Sequence, residues 1–279
     1  MAPVRFLEKM LSAADGTPLF VRSAELGNST RGNVLLVHGM GEHSSRYFHV
    51  AERLAAHQFR LCALDLRGHG RSGGRRGDIA GYHVLVDDIA RAWEHFTAGE
   101  SPTFLYGHSL GGQLALNFLL QKKPALTGLI ITSPWLELAF APPRWKLALA
   151  HLAMRIFPSF PQQTALNPER LSRDLEFLSA MPDLELVHHQ MSARMFFALS
   201  RGAACALDAA PSISTPLLMI HGAADPVTSA MASQRFFQNV ASKDKTLHLY
   251  PDALHETHND LGRERVLDDI VRWLEGHSA

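Results

Sequence analysis

The chain of 279 residues has no excess of either charge sign, since Lys and Arg together number 27 and Asp and Glu together also number 27. Nucleic acids and other strongly acidic partners are bound by basic chains or basic patches, so this balance argues against those functions. Cysteine is scarce as well, with Cys62 and Cys205 alone. Two cysteines cannot form a disulfide framework, and Cys62 lies in a predicted buried strand, so we expect a reducing compartment.

Targeting and membrane-spanning patterns are also missing. The first nine residues contain no apolar run and no cleavage-site pattern, which predicts that there is no signal peptide. The most apolar stretch, 126–140, is interrupted by Pro134 and Glu137 and is too short to cross a bilayer. We therefore expect a soluble, cytoplasmic protein that can touch a membrane from one side only.

Metal and nucleotide patterns are weak. The 16 histidines invite a metal interpretation, but His188 and His189 point in different directions on a helix, being adjacent. His255 and His258 share a helical face without a third ligand at that spacing. The glycine-rich stretch 68–76 lacks the Gly-Lys-Ser/Thr ending of a phosphate loop, and no helix starts directly after it. The sequence predicts no metal, no nucleotide and no other cofactor.

What the chain does contain is a Gly-x-Ser-x-Gly motif at 107–111, between an apolar run suited to a buried strand and a helix-like pattern. A tight strand-to-helix turn there would hold Ser109 strained, with its hydroxyl clear of the sheet. Glycine is needed two residues to either side because larger side chains would collide. The motif predicts a nucleophile; the alternative is an ordinary glycine-rich turn that packs a helix on a sheet.

Buried strands and amphipathic helices alternate around this motif, after a hairpin signal over 5–24. The alternation predicts an α/β fold with a parallel sheet covered by helices on both faces. It breaks between about residues 133 and 210, where prolines separate helical patterns and no strand signal occurs. We expect a core formed by 1–136 and 209–279, with a helical cap over 137–208 above the carboxyl ends of the strands.

A serine nucleophile needs a base to accept its proton and an acid to orient that base. In a sheet of this type they follow in the order Ser, acid, His, each after a strand. Asp225 and His255 follow the last two predicted strands and are the favoured pair. Asp252 and Asp260 compete for the acid and His258 for the base, and Asp225 could instead cap a helix or form a turn.

Two backbone N–H groups are needed to bind the oxyanion of the tetrahedral intermediate. Leu110 directly follows the nucleophile and supplies one at a helix N-terminus. Met40, in the loop after the predicted strand 33–37, is placed for the other. Both assignments rest on position alone, because a backbone donor requires no particular side chain.

The predicted cap carries an apolar stripe at helical spacing, i, i+4, i+7 and i+11. Such a face can line an acyl tunnel, dip into a membrane surface or pack on the core. The four residues of the stripe are Trp145, Leu149, Leu152 and Ile156. Met195 and Phe196 are predicted to line an apolar pocket, with core packing again as the alternative.

These motifs together resemble the α/β-hydrolase superfamily and, within it, the monoacylglycerol lipase and lysophospholipase-like branch of serine aminopeptidase S33-type hydrolases. The likeness spans almost the whole chain. It is carried by His38-Gly39-Met40-Gly41-Glu42-His43 with Arg46-Tyr47, Asp65-Leu66-Arg67-Gly68-His69-Gly70-Arg71-Ser72, Gly107-His108-Ser109-Leu110-Gly111-Gly112, Ser133-Pro134, His221-Gly222 with Asp225, and His255-Glu256. The resemblance implies a mostly parallel eight-stranded sheet with the cap inserted after the sixth strand. It also implies a triad of Ser109, Asp225 and His255, with Met40 and Leu110 as oxyanion donors.

The expected function is therefore cofactor-free hydrolysis of a single-chain lipid ester, with a monoacylglycerol as the first choice of substrate. A lysophospholipase or a short-chain carboxylesterase is the alternative on the same machinery, and a peptidase of the same branch stays open. A different class of function is a ligand-binding protein that keeps the triad as a relic. Expected partners are the lipid ester and, through the cap, a membrane surface; no nucleic acid is expected.

Overall fold

A computed structural model describes residues 4–27, 30–97, 102–164 and 166–278. Residues 1–3, part of the N-terminal stretch that lacks a targeting pattern, lie outside the described residues. The strands are β1 (Phe6–Ser12), β2 (Pro18–Ala24), β3 (Gly32–Val37), β4 (Phe59–Leu64), β5 (Thr103–His108), β6 (Gly128–Thr132), β7 (Pro161–Gln163), β8 (Gln190–Ser192), β9 (Leu217–Gly222) and β10 (Lys245–Tyr250). The α-helices are α1 (Phe48–Ala56), α2 (Tyr82–Phe96), α3 (Leu110–Lys122), α4 (Arg144–Ile156), α5 (Leu175–Ser179), α6 (Ala193–Asp208), α7 (Ala230–Asn239) and α8 (Arg263–Gly276).

One sheet of eight strands organises the molecule, in the order β1-β2-β4-β3-β5-β6-β9-β10. From β4 to β10 all neighbours are parallel, while β1 and β2 form an antiparallel hairpin at one edge. The predicted mostly parallel eight-stranded sheet is confirmed. Because parallel strands end at the same edge, the loops after β3, β5, β9 and β10 meet there.

The continuous apolar runs become strands buried on both faces. Along β3, Val34 and Leu36 pack into the hydrophobic cluster that includes α1 and α8, whereas Leu35 and Val37 pack into the cluster on the opposite face with α2, α3, α6 and α7. Successive side chains of a strand point to opposite faces, so a strand between two helical layers needs no polar alternation. The predicted strand 33–37 corresponds to β3, and the predicted hairpin over 5–24 corresponds to β1 and β2.

The segment between β6 and β9 is not purely helical. Besides α4, α5 and α6 it contains β7 and β8, which pair antiparallel from Pro161 opposite Ser192 to Gln163 opposite Gln190. The expectation of no strand there was wrong. Each strand has only three residues, too few for a period-two pattern, and their pairing joins backbones far apart in sequence.

Helix α6 packs on the core rather than over it. Met195, Ala198 and Leu199 join the same cluster as α2 and α3, and the Asn117 side chain donates a hydrogen bond to Gly202 O at 3.0 Å. Among the described residues, no helix is long and apolar enough to span a membrane.

Candidate active site

Ser109 lies at the turn between β5 and α3, where its backbone has φ 54° and ψ −115°. Non-glycine residues rarely adopt a positive φ, so the turn is strained at this residue. A Cβ on Gly107 would overlap the carbonyl oxygen of Gly111, and a Cβ on Gly111 would overlap that of Val37. The motif therefore needs both glycines, because the start of α3 lies directly against β3 and β5.

The structure brings together the three residues predicted as nucleophile, base and acid. Ser109 Oγ lies 2.9 Å from His255 Nε2, and His255 Nδ1 lies 2.7 Å from Asp225 Oδ2. A carboxylate only accepts hydrogen bonds, so the hydrogen of the neutral imidazole is assigned to Nδ1. Nε2 is then free to accept the serine hydroxyl proton. The arrangement can activate a hydroxyl for attack on an acyl carbon.

Four further groups surround the Asp225 carboxylate. Oδ1 accepts from the backbone N–H groups of Val227 at 2.7 Å and Thr228 at 3.1 Å. Oδ2 accepts from the Thr228 hydroxyl at 2.8 Å and from His221 Nε2 at 3.1 Å. The Ser233 hydroxyl, 2.8 Å from His221 Nδ1, donates to that nitrogen and leaves the hydrogen on Nε2. Every lone-pair direction of the acid is thereby occupied.

The acid and base shift each other's pKa in opposite directions. Burial alone would raise the pKa of Asp225, but the charge of His255 and the hydrogen bonds from His221 and His255 outweigh it and hold that pKa well below its usual range. Burial would lower the pKa of His255, but the Asp225 carboxylate outweighs it and raises that pKa above the ordinary 6.5. The acid thus stays ionised, and the imidazole accepts a proton more readily.

The competing residues do not reach Ser109. Asp260 is buried but accepts from the Leu254 N–H at 2.8 Å, and Asp252 is exposed with no hydrogen-bond partner in the described part of the chain. His258 is buried with its ring stacked on Tyr47, at 4.9 Å between centroids. Burial lowers its pKa well below the ordinary value. Across the described ranges, no group of three or more His, Cys, Asp or Glu residues is arranged to hold a metal ion.

The loop after β3 presents backbone N–H groups beside the serine. Gly39 N donates to Glu42 Oε1 at 2.5 Å, and Gly39 O accepts from His38 Nδ1 at 2.7 Å. His38 Nε2 accepts the N–H of residue 66 at 3.0 Å, which places the ring hydrogen on Nδ1. Within the described ranges, the N–H groups of Met40 and Leu110 donate to no other group. They are therefore unpaired and free to bind an anion.

A buried ionic cluster, which had no predicted role, borders the same site. Arg46 donates to both oxygens of Glu256 at 2.9 Å each and to Glu42 Oε2 at 3.1 Å. The Tyr47 hydroxyl donates to Glu42 Oε1 at 2.8 Å. One cation against two anions leaves the cluster with a net charge of −1. Glu42, Arg46 and Tyr47 lie in the 38–47 motif, but the pairing of Arg46 with Glu256, 210 positions away, cannot be seen in a linear pattern.

A cavity of about 190 Å³ opens at Ser109 and His255. The segment between β6 and β9 supplies most of its apolar wall, including Trp135, Leu138, Phe140, Leu166, Met191 and Phe196. The ionic cluster supplies a polar part of the lining. The site thus joins an apolar compartment to a polar one at the serine.

The predicted pocket residues divide into three groups. Phe196 lines the cavity, whereas Met195 is fully buried on the core side of α6. The remaining four lie on α4, are 53–62% exposed and are not among the residues that line this cavity: Trp145, Leu149, Leu152 and Ile156. A helical stripe marks an apolar face, but the tertiary structure decides what that face meets.

The family model described as serine aminopeptidase, S33 matches residues 28–262. The chain belongs to this family of α/β hydrolases. The family membership implied by the sequence motifs is confirmed, and the protein is a serine ester hydrolase of the monoacylglycerol lipase-like kind.

Its relatives include proteins named as monoacylglycerol lipases. The chain is 32% identical over 251 residues to the monoacylglycerol lipase of Mycolicibacterium smegmatis, covering 88% of this chain and 89% of that protein. The crystal structure of the Paleococcus ferrophilus monoacylglycerol lipase matches with a TM-score of 0.84 and 32% identity, over 93% of this chain and 99% of that one. An uncharacterised abhydrolase domain-containing protein of Dictyostelium discoideum is 36% identical over 246 residues, and this chain spans 26% of its length.

Proposed function

We propose that the protein hydrolyses the carboxylic ester of a single-chain lipid, and that its substrate is a monoacylglycerol. The observation that carries this proposal is the unbroken hydrogen-bonded path from Ser109 Oγ through His255 to Asp225, at the junction of an apolar and a polar compartment. The likeness to monoacylglycerol lipases at 32% identity supports the same substrate class.

In the proposed reaction, His255 Nε2 takes the hydroxyl proton as Ser109 Oγ attacks the ester carbonyl carbon. The carbonyl oxygen becomes an oxyanion that accepts from the Met40 and Leu110 N–H groups. Asp225 stabilises the imidazolium, which then gives its proton to the departing glycerol oxygen. Water attacks the acyl-enzyme, His255 takes a proton from that water, and the fatty acid leaves as the serine is restored.

The charge of the polar compartment supports a neutral head group. Glu42 and Glu256 bring two carboxylates against the single guanidinium of Arg46, all of them buried. A phosphate placed beside this net negative cluster would be repelled, and the repulsion is stronger between buried charges than between charges in water. Glycerol hydroxyls can instead donate hydrogen bonds to carboxylate oxygens. A monoacylglycerol therefore suits the site better than a lysophospholipid.

We further propose that residues 137–208 act as the cap and that α4 contacts the membrane surface in which the substrate resides. None of the thirteen residues of α4 is buried, and its apolar stripe faces outward. The helix contains Arg144, Lys146 and Arg155 and no acidic residue. An exposed apolar face beside basic side chains suits an interface rich in anionic lipid.

A serine-reactive fluorophosphonate tests the enzyme proposal. Wild-type protein and Ser179→Ala, which removes an exposed serine on α5, should be labelled, whereas Ser109→Ala should not be. No labelling of wild type, or equal labelling of Ser109→Ala, would contradict the nucleophile and favour a non-catalytic binding protein.

Comparing kcat/KM for monooleoylglycerol, lysophosphatidylcholine and p-nitrophenyl butyrate tests the substrate. We expect monooleoylglycerol to exceed lysophosphatidylcholine by about tenfold or more, because of the buried negative cluster. A preference for the lysolipid would reverse the head-group assignment and leave the nucleophile untouched.

A further inference from the structure

A stretch of five residues, 170–174, which we call the strap, lies against both loops that carry the proposed acid and base. It belongs to the predicted cap, yet its partners belong to the core. On the acid side, Arg170 donates to Pro226 O, one residue after Asp225. On the base side, the Ser172 hydroxyl donates to Asn259 O at 3.0 Å. The strap therefore bridges the loops after β9 and β10.

The backbone N–H groups of the two residues that flank His255 both have acceptors. After it, Glu256 N donates to the strap carbonyl of Leu171 at 2.8 Å. Before it, Leu254 N donates to Asp260 Oδ2 at 2.8 Å. The hydrogen bond to Asp225 orients the imidazole ring. The two backbone hydrogen bonds instead hold the main chain on either side of His255.

Asp260 connects the second of these bonds to the strap. Its carboxylate is fully buried and accepts from Arg173 N at 3.0 Å and from Arg173 Nε at 3.1 Å to each oxygen. Burial would raise the pKa of Asp260, but the N–H groups of Leu254, Leu261 and Arg173 outweigh it and hold that pKa below its usual value. The carboxylate stays charged, so it is a strong acceptor for the Leu254 N–H.

We propose that the strap positions the catalytic base. Arg173 holds the Asp260 carboxylate, Asp260 holds the Leu254 N–H, and the Leu171 carbonyl holds the Glu256 N–H. Together these contacts keep His255 Nε2 within hydrogen-bonding distance of Ser109 Oγ through the catalytic cycle. Arg173 and Asp260 touch no reacting atom and are positioning residues. The inference rests on the proposed role of His255.

The chain offers matched variants for the test. Arg173→Ala removes the strap cation, Arg173→Lys keeps a cation without the guanidinium geometry, and Asp260→Asn removes the charge at constant shape. Arg201→Ala is the control for arginine loss, because Arg201 is exposed on α6 with no ion pair or hydrogen bond within the described ranges. Asp252→Asn is the control for the loop of the base, where Asp252 is exposed.

Steady-state kinetics with the soluble ester p-nitrophenyl butyrate, with melting temperatures measured in parallel, separate positioning from stability. We expect Arg173→Ala to lower kcat about tenfold with KM within about twofold, since a displacement of about 1 Å at a reacting group can cost far more than that. Arg173→Lys should recover part of kcat, and both controls should match wild type. A lower melting temperature with unchanged kcat in the folded range would overturn the proposal.

A double-mutant cycle tests the path through Asp260. If Arg173 acts through that carboxylate, Arg173→Ala combined with Asp260→Asn should lower kcat no more than the stronger single variant does. Fully additive losses would overturn this path. Failure of wild type to react with a fluorophosphonate would instead refute the proposed function, whereas an active, labelled wild type with unimpaired Arg173→Ala would refute only the strap.

Discussion

Two parts of the segment between β6 and β9 differ in how they meet the core. Helix α4 has no buried residue, and its ring contact to α6, His151 against Phe197, is 4.2 Å between centroids. The strap at 170–174 bonds the main chain of both catalytic loops, and Ser172 is 1% exposed. One sequence segment thus supplies both an outward apolar surface and a fixed support for the site.

The strap and α4 therefore have different surroundings within the proposed cap. Polar strap groups pair with backbone groups that would otherwise lose their hydrogen bonds in the buried loops. The apolar stripe of α4 has no such partner and stays available for a surface outside the chain. We expect variants of the strap to change catalysis and variants of α4 to change only the binding of the enzyme to a membrane surface.

The largest effect should come from Asp225, the proposed acid, in a loop that the strap contacts. Asp225→Asn is expected to lower kcat about 10⁴-fold, because an amide neither fixes the imidazole tautomer nor stabilises the imidazolium. Single-turnover hydrolysis of p-nitrophenyl butyrate measures it, with Asp252→Asn as the matched control. A loss below about tenfold would show that Asp225 is not the acid.

The pH profile gives the next largest effect. The base must be neutral, and Asp225, Glu256 and Glu42 together raise the pKa of His255 above 6.5 in spite of burial. We therefore expect kcat/KM to fall about tenfold per pH unit on the acid side, with a midpoint above 6.5. The neighbouring His108 does not titrate in this range, since burial lowers its pKa to about 3.

The same pH profile distinguishes the strap from α4. If the strap holds His255 against Asp225, Arg173→Ala should shift the acid-side midpoint to lower pH, because the carboxylate then favours the imidazolium less. Substitutions on α4 should leave the midpoint unchanged. A midpoint that shifts in α4 variants would contradict the separate roles of α4 and the strap. A wild-type midpoint well below 6.5 would contradict the raised pKa of His255.

The smallest effect on catalysis is expected from α4. Replacing Leu149 and Leu152 by serine should reduce sedimentation with phosphatidylcholine–phosphatidylserine vesicles by about fivefold or more, since each exposed leucine can bury apolar area in the interface. Hydrolysis of a soluble ester should stay within about twofold of wild type. Met231→Ser, at a 70% exposed site on α7, is the control. Equal sedimentation of all variants would exclude α4 as the contact surface.

Much of the core could be predicted because its signals are local. The run 33–37 is continuously apolar since β3 lies between two helical layers, and the hairpin signal over 5–24 became β1 and β2. Ser109, Asp225 and His255 could be selected because parallel strands bring successive loop residues to one edge. Their geometry agrees with the roles predicted for them, which stay proposals until the variants are measured.

The remaining features depend on contacts between distant parts of the chain. Asp260 competed for the acid on sequence grounds, and its hydrogen bonds to Leu254 and Arg173 are visible only in the folded chain. The apolar stripe of α4 has the periodicity of a pocket wall, a core face and a membrane face alike. The three-residue strands β7 and β8 carry no periodic signal at all.

Local sequence patterns specify the sheet, the tight turn at Ser109 and the order of the residues that follow it, because strand burial and turn sterics act over a few neighbouring residues. Tertiary contacts, by contrast, set the direction in which α4 faces, the sharing of Arg46 between Glu42 and Glu256, and the hydrogen bonds on either side of His255. Those properties arise where loops from different strands and the strap meet, and hydrogen bonds and charges there pair residues that are far apart along the chain.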